Sequence, residues 1–147
     1  DRPVSQNAGW LDVTHGLTFA NAVRWAADRE PALLAPGLLQ LACFVGRNNA
    51  LRDRGLDPAP WRVPDRAAFF AASGRALLNH AETEFIVSAH CAKLWMAIER
   101  ECEAVADDEA LADDLAAALR RFLESPHRRN HPLRTARQAL SLVATEL

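Results

Sequence analysis

The stretch "FIVSAHCAKLWMAI", residues 85–98, decides how this sequence is interpreted. Its apolar residues occupy almost the whole circumference of a helix. Four residues interrupt them: Ser88, His90, Cys91 and Lys93. A helix that is apolar on nearly all sides belongs in the interior of a bundle rather than on its surface. Residues 11–27 have the same character, with His15 among their few polar interruptions. We therefore expect two central helices.

The rest of the chain predicts an all-α fold. Alanine, leucine and arginine, which are good helix formers, dominate the sequence, and no segment shows the alternation of a strand. We expect one helical domain, residues 1–147, built as a bundle of about six helices. The predicted helices span residues 11–28, 36–54, 66–81, 84–105, 107–125 and 132–147. The third and fourth are alternatively one long helix with a bend near Glu82.

Local signals place some boundaries of these helices. Gly55 suits the position after the second helix, and Asp65 is a suitable N-cap for the third. The fifth helix is amphipathic and is expected to bury one leucine-rich face. That face comprises Leu111, Leu115, Leu119 and Phe122.

Composition narrows the class of protein and its surroundings. The 147 residues carry a net charge of −2, so no basic excess indicates nucleic acid binding. The sequence contains no signal peptide and no long uncharged apolar run. We therefore expect a protein that is neither secreted nor membrane-spanning. The three cysteines match no disulfide framework, which favours free thiols in the cytoplasm. Sixteen of the seventeen basic residues are arginine, as is typical of a high-GC bacterial genome.

Polar residues within the two central helices predict an interior pocket. A buried polar group is costly unless it is paired, so these side chains should meet one another. His15 and Thr18 share one face of the first helix, and His90 and Lys93 share one face of the fourth. Two further polar residues are aligned on the second helix, Gln40 and Arg47. We expect Lys93, the only lysine of the chain, to point into this pocket.

The residues allow two kinds of chemistry in the pocket. A metal site for zinc or iron would use imidazole and carboxylate ligands. Its candidate ligands are His15, His80, Glu84 and His90. Alternatively, His15, His90 and Lys93 act as acid, base or nucleophile, while Thr18, Gln40 and Arg47 bind the substrate. Two interpretations compete with these. In one, the histidines are structural residues of the core, and in the other, the methylenes of Lys93 carry its ammonium to solvent.

Two segments resemble a known family. "THGLTFANAVR", residues 14–24, and "AHCAKLWMAIE", residues 89–99, are similar to the H-x-x-T-x-x-x-A-x-R and H-x-x-K-x-x-x-A segments of questin oxidase-like proteins. Similar segments occur in actinobacterial proteins that carry a Rieske iron–sulfur domain. The resemblance covers about a third of the chain. It implies an all-helical fold and an association with an oxidoreductase. The matching positions in this sequence are His15, Thr18, Arg24, His90 and Lys93.

Together these observations predict a helical domain that is associated with an oxidoreductase. Its His/Lys/Arg pocket would bind a small organic molecule or a metal ion, and an iron–sulfur domain or partner subunit could supply redox chemistry. No Rieske ligand pair is present in this sequence. The alternative is a non-catalytic helical module that binds a partner protein and uses its histidines structurally.

Overall fold

The computed structural model describes residues 10–78, 85–125 and 140, with residues 10–13 and 85–86 described by their backbone alone. The described residues form helices and turns and contain no strand, which confirms the all-α prediction. The five α-helices are α1 (Trp10–Ala27), α2 (Leu34–Asn48), α3 (Arg66–Leu78), α4 (Phe85–Ala104) and α5 (Glu109–Glu124). Their residues all belong to one compact unit, residues 8–124. The sixth predicted helix lies outside the described residues, and the single-domain assignment of the whole chain stays a prediction.

Short polar and proline signals set the helix boundaries. Glu30 is extended (φ −137°, ψ 91°), as expected of a residue that precedes proline, and α1 ends just before it. Asp65 caps α3 as predicted, because its Oδ1 accepts a hydrogen bond from the Ala68 amide at 2.9 Å. Asp108 caps α5 in the same way through the Leu111 amide at 3.1 Å.

The prediction for the end of the second helix was wrong. The α-helix ends at Asn48 rather than at residue 54, and a single 3₁₀ turn, Asn49–Leu51, follows it. Gly55 does not adopt a positive φ. Its amide instead donates to the Asp53 side chain at 3.0 Å, a local turn that competes with helix continuation.

Helices α3 and α4 are separate and pack against each other. The Phe70 and Trp95 rings lie 5.9 Å apart, edge to face, and the Trp95 indole N–H donates to Ser73 Oγ at 2.9 Å. In one continuous helix, Ser73 and Trp95 would be about 33 Å apart at 1.5 Å per residue. The alternative of a long bent helix is therefore excluded, although the connecting residues 79–84 lie outside the described part.

Helix α4 is the centre of the bundle, since it contacts α1, α3 and α5. The core cluster joins Phe70, Leu94, Ile98 and Leu119. On α5 the buried face is made largely of alanines, which allow close approach to α4. Leu111, predicted to lie on that face, is 44 % exposed because the buried face is shifted by one residue to Ala112.

Helix α1 contacts α2 and α4 and has no third helical neighbour among the described residues. Its contact with α2 is close at Gly37, where an added Cβ would lie 2.6 Å from Val23 Cγ1. On the outer face of α1, Phe19 is 39 % and Trp25 is 54 % exposed. The prediction of two central helices thus holds for α4, whereas α1 has helical neighbours on two sides within the described residues.

Candidate functional site

The structure brings the two predicted histidines together. His15 lies on α1 and His90 on α4, and both side chains are half-buried. Their ring centroids are 5.7 Å apart, with the ring planes inclined by 39°. The packing of α1 on α4 creates this pair, as the sequence predicts. The function of the pair stays a prediction.

A cavity of about 490 Å³ begins at His15 and lies over the outer face of α1. Helices α2 and α4 form its two sides. The lining residues are His15, Thr18, Phe19, Ala22, Gln40, Phe44 and Lys93. Four of the predicted site residues therefore meet here from three helices.

A second cavity, of about 310 Å³, extends the first along α1. The two cavities share Thr18, Ala22 and Lys93, and the second ends among Trp25, Met96 and Arg100. We call the two together the α1 groove. From residue 15 to residue 25 the groove follows α1 for about 15 Å at 1.5 Å per residue.

The α1 groove is open to solvent, so the prediction of a buried pocket was wrong. Gln40 and Lys93 are both exposed. Lys93 lies on an exposed stripe of α4 together with Ala89, Met96 and Arg100, and it does not point into the interior as expected. The physical reason is that no helix among the described residues packs over the outer face of α1. The residues that interrupt its apolar surface therefore border a surface groove.

The groove carries positive charge without a compensating carboxylate. Lys93 and Arg100 make no ion pair or hydrogen bond within the described part of the chain. No aspartate or glutamate is among the described residues that line the two cavities. Seven residues separate the two cations, so they face the groove about 10 Å apart, two turns along α4.

A buried carboxylate behind the groove is already paired, and it is a residue that was not predicted from the sequence. Glu101 is 7 % exposed and accepts hydrogen bonds from Arg24 Nη2 at 2.9 Å and Asn21 Nδ2 at 3.0 Å. Its hydrogen bond and negative charge raise the pKa of Arg24 above the ordinary value. The sequence signal is the position of Glu101 one turn after Ala97, on the buried face of α4. Arg24, singled out by the family resemblance, thus has a structural partner.

Arg47 does not belong to the groove. It shares a face of α2 with Gln40, as predicted, but it is exposed and does not line either cavity. Two helical turns, about 10 Å, separate the two residues. Only Gln40 reaches the cavity, so the prediction that Arg47 lines the same pocket was wrong.

The predicted metal site can be assessed only in part. His15 and His90 are adjacent, whereas His80 and Glu84 lie outside the described residues. Within residues 10–78 and 85–125, no group of three or more histidine, cysteine, aspartate or glutamate side chains is placed to hold a metal ion. The four-ligand set therefore stays a prediction.

Comparison with protein families, curated proteins and solved structures finds no match to this chain. The similarity to questin oxidase-like proteins therefore stays a prediction that rests on its two short segments. Among the described helices, none combines the length and apolar character that crossing a bilayer requires.

Proposed function

We propose that the α1 groove binds a small organic molecule that combines an apolar body with an acidic group. The observation that carries this proposal is Lys93. Its ammonium has no counter-ion in the described part of the chain, and it lies where the two cavities join. An anionic group of a ligand would supply the missing negative charge.

The remaining walls of the groove suit the body of such a ligand. Phe19, Phe44 and Trp25 offer aromatic surface, while Thr18 and Gln40 offer hydrogen-bonding groups that fix orientation. The larger cavity, about 490 Å³, falls within the range of about 300–1,000 Å³ that is typical of ligand sites. Arg100 provides a second cation for an elongated acid.

The family resemblance extends the proposal to catalysis. In that extension the domain serves a cytoplasmic oxidoreductase, and an iron–sulfur domain or partner subunit supplies the electrons. His15 lines the groove, so its imidazole is placed to exchange a proton with a ligand bound beside Lys93. His90 contacts His15 but does not line either cavity. Without the family resemblance, the described residues support ligand binding and not this extension to catalysis.

The test compares two probes that share a ring system, 2-naphthoate and the neutral 2-naphthalenemethanol, by calorimetric titration. We expect the acid to bind more tightly than the alcohol. Lys93→Met should weaken acid binding about 2- to 5-fold, because an exposed ion pair contributes about 0.3–1 kcal/mol, and it should leave alcohol binding unchanged. Higher salt should reduce the difference between the probes.

Arg75→Met is the matched control for this experiment. Arg75 is an exposed cation that lines a different, more apolar cavity of about 710 Å³ between α3 and α4. If the probe binds the α1 groove, removal of this charge should have no effect. Equal affinities for acid and alcohol, or an equal loss in Lys93→Met and Arg75→Met, would refute the proposal.

The second candidate is the interaction module, and one observation favours it. Helix α2 has no buried residue, and its apolar side chains Leu38, Leu39 and Val45 are 51–64 % exposed. Such an apolar surface is typical of a protein contact. If neither probe binds the groove in the titration above, this candidate becomes the better supported one.

A further inference from the structure

The histidine pair has a geometry that the binding proposal does not use. His15 and His90 come from two helices that pack directly on each other, and both rings are half-buried. Two imidazoles held on rigid helices lose little freedom when they bind a common ion. Helical bundles build metal sites from side chains of facing helices in this way.

The distance between the rings is compatible with one shared ion. A zinc-class ion lies about 2.0–2.1 Å from an imidazole nitrogen, which places it about 3.2 Å from the ring centroid. Two rings on one tetrahedral ion therefore have centroids about 5.2 Å apart, and the upper limit, for a linear arrangement, is about 6.4 Å. The observed 5.7 Å lies between these values. The separation of the two rings is therefore compatible with one nitrogen of each ring binding the same ion.

We propose that His15 and His90 together bind one divalent transition-metal ion of the zinc class. Imidazole is a preferred ligand of zinc and cobalt. Two protein ligands leave further coordination positions open, so the affinity should be lower than that of a structural zinc site with four protein ligands. His80 and Glu84, which the sequence predicts as further ligands, lie outside the described residues.

The nearby cation affects this site without excluding it. Lys93 follows His90 by three residues on α4, and its positive charge opposes a bound cation. The Lys93 side chain is exposed, so water screens that repulsion and its flexible stem can turn away. Lys93→Met should consequently strengthen metal binding while it weakens naphthoate binding. The two effects have opposite signs, so failure of one proposal is distinguishable from failure of the other.

The experiment is a Co²⁺ titration followed by visible absorption, with Zn²⁺ as competitor. The protein carries Cys43→Ser, which removes an exposed thiol that would otherwise compete for the metal. We expect a saturable d–d spectrum without a strong thiolate-to-cobalt band, and displacement of Co²⁺ by Zn²⁺. Loss of an outer-shell partner commonly weakens metal affinity about 10- to 100-fold, so His15→Ala or His90→Ala should weaken binding at least that much.

The chain offers its own controls for non-specific histidine binding. His127→Ala and His131→Ala remove imidazoles outside the proposed pair and should leave the titration unchanged. If an alanine variant fails to fold, His15→Asn and His90→Asn replace each ring with a smaller planar polar group, and circular dichroism verifies their helicity. Co²⁺ affinity that persists in folded His15 and His90 variants, or that falls only in the His127 and His131 variants, would overturn the proposal.

Discussion

The close contact of α1 and α2 makes Gly37→Ala the most informative stability test of this fold. An added Cβ would lie 2.6 Å and 2.9 Å from the two methyl carbons of Val23 and 3.3 Å from its Cβ. Non-bonded carbons normally lie about 3.5–4.0 Å apart. Rotation of Val23 cannot relieve all three contacts, because its Cβ does not move. The helices must therefore separate by about 1 Å.

The expected magnitude follows from two opposing effects. Overpacking a close contact costs about 1–3 kcal/mol, and three short contacts on a buried valine place this case near the upper end. Replacing glycine with alanine inside a helix stabilises by about 1 kcal/mol. We expect Gly37→Ala to lower the free energy of unfolding by about 2 kcal/mol. For a chain of this length, that corresponds to a Tm decrease of about 6 °C.

Gly46→Ala is the matched control on the same helix. An added Cβ there meets nothing within 4 Å, so only the helix propensity changes and the variant should be about 0.5–1 kcal/mol more stable. Urea unfolding of both variants measures the difference. Adding Val23→Ala to Gly37→Ala removes the clashing methyls, and the double-mutant cycle should show at least about 1 kcal/mol of favourable coupling. Equal stabilities of the two glycine variants, or no coupling, would refute the close contact.

Two further predictions concern the buried hydroxyl of Thr14 and the buried carboxylate of Glu101. The Thr14 hydroxyl is buried and has no hydrogen-bond partner among the described residues, so Thr14→Val should stabilise by about 1 kcal/mol in thermal unfolding. Thr18→Val, a half-buried control, should change stability by less than about 0.5 kcal/mol. A less stable Thr14→Val variant would contradict this. Arg24→Ala leaves the buried Glu101 carboxylate with Asn21 as its one remaining partner among the described residues. This loss should cost about 2 kcal/mol in urea unfolding after allowance for the exposed arginine. Arg24→Met combined with Glu101→Leu should recover most of that loss, and a double variant as unstable as Arg24→Ala would argue against the explanation.

The sequence predicted those parts of the site that depend on periodicity along one helix. Thr18 follows His15 by three residues, and Lys93 follows His90 by three. Each pair was therefore expected to share a helix face, and in the structure each pair lies on one helix, α1 and α4 respectively. The sequence could not assign Glu101 to Arg24, because 77 positions separate them and only the packing of α1 on α4 brings them into contact. Similarly, Gln40 and Arg47 share a face of α2, but the position of α2 along α1 decides that Gln40 alone reaches the cavity.

By itself the sequence determined the helical class, the cap at Asp65 and the polar stripes, because these depend on interactions between residues fewer than about eight positions apart. Tertiary structure alone decided whether the polar stripes would be enclosed. An apolar surface around α1 indicates that burial is favourable, but burial requires a neighbour on every side. In the described part of the chain, α1 has helical neighbours on two sides. The expected interior pocket is consequently an open groove. Its lysine is exposed, and its histidine, His15, meets His90 where α1 packs on α4.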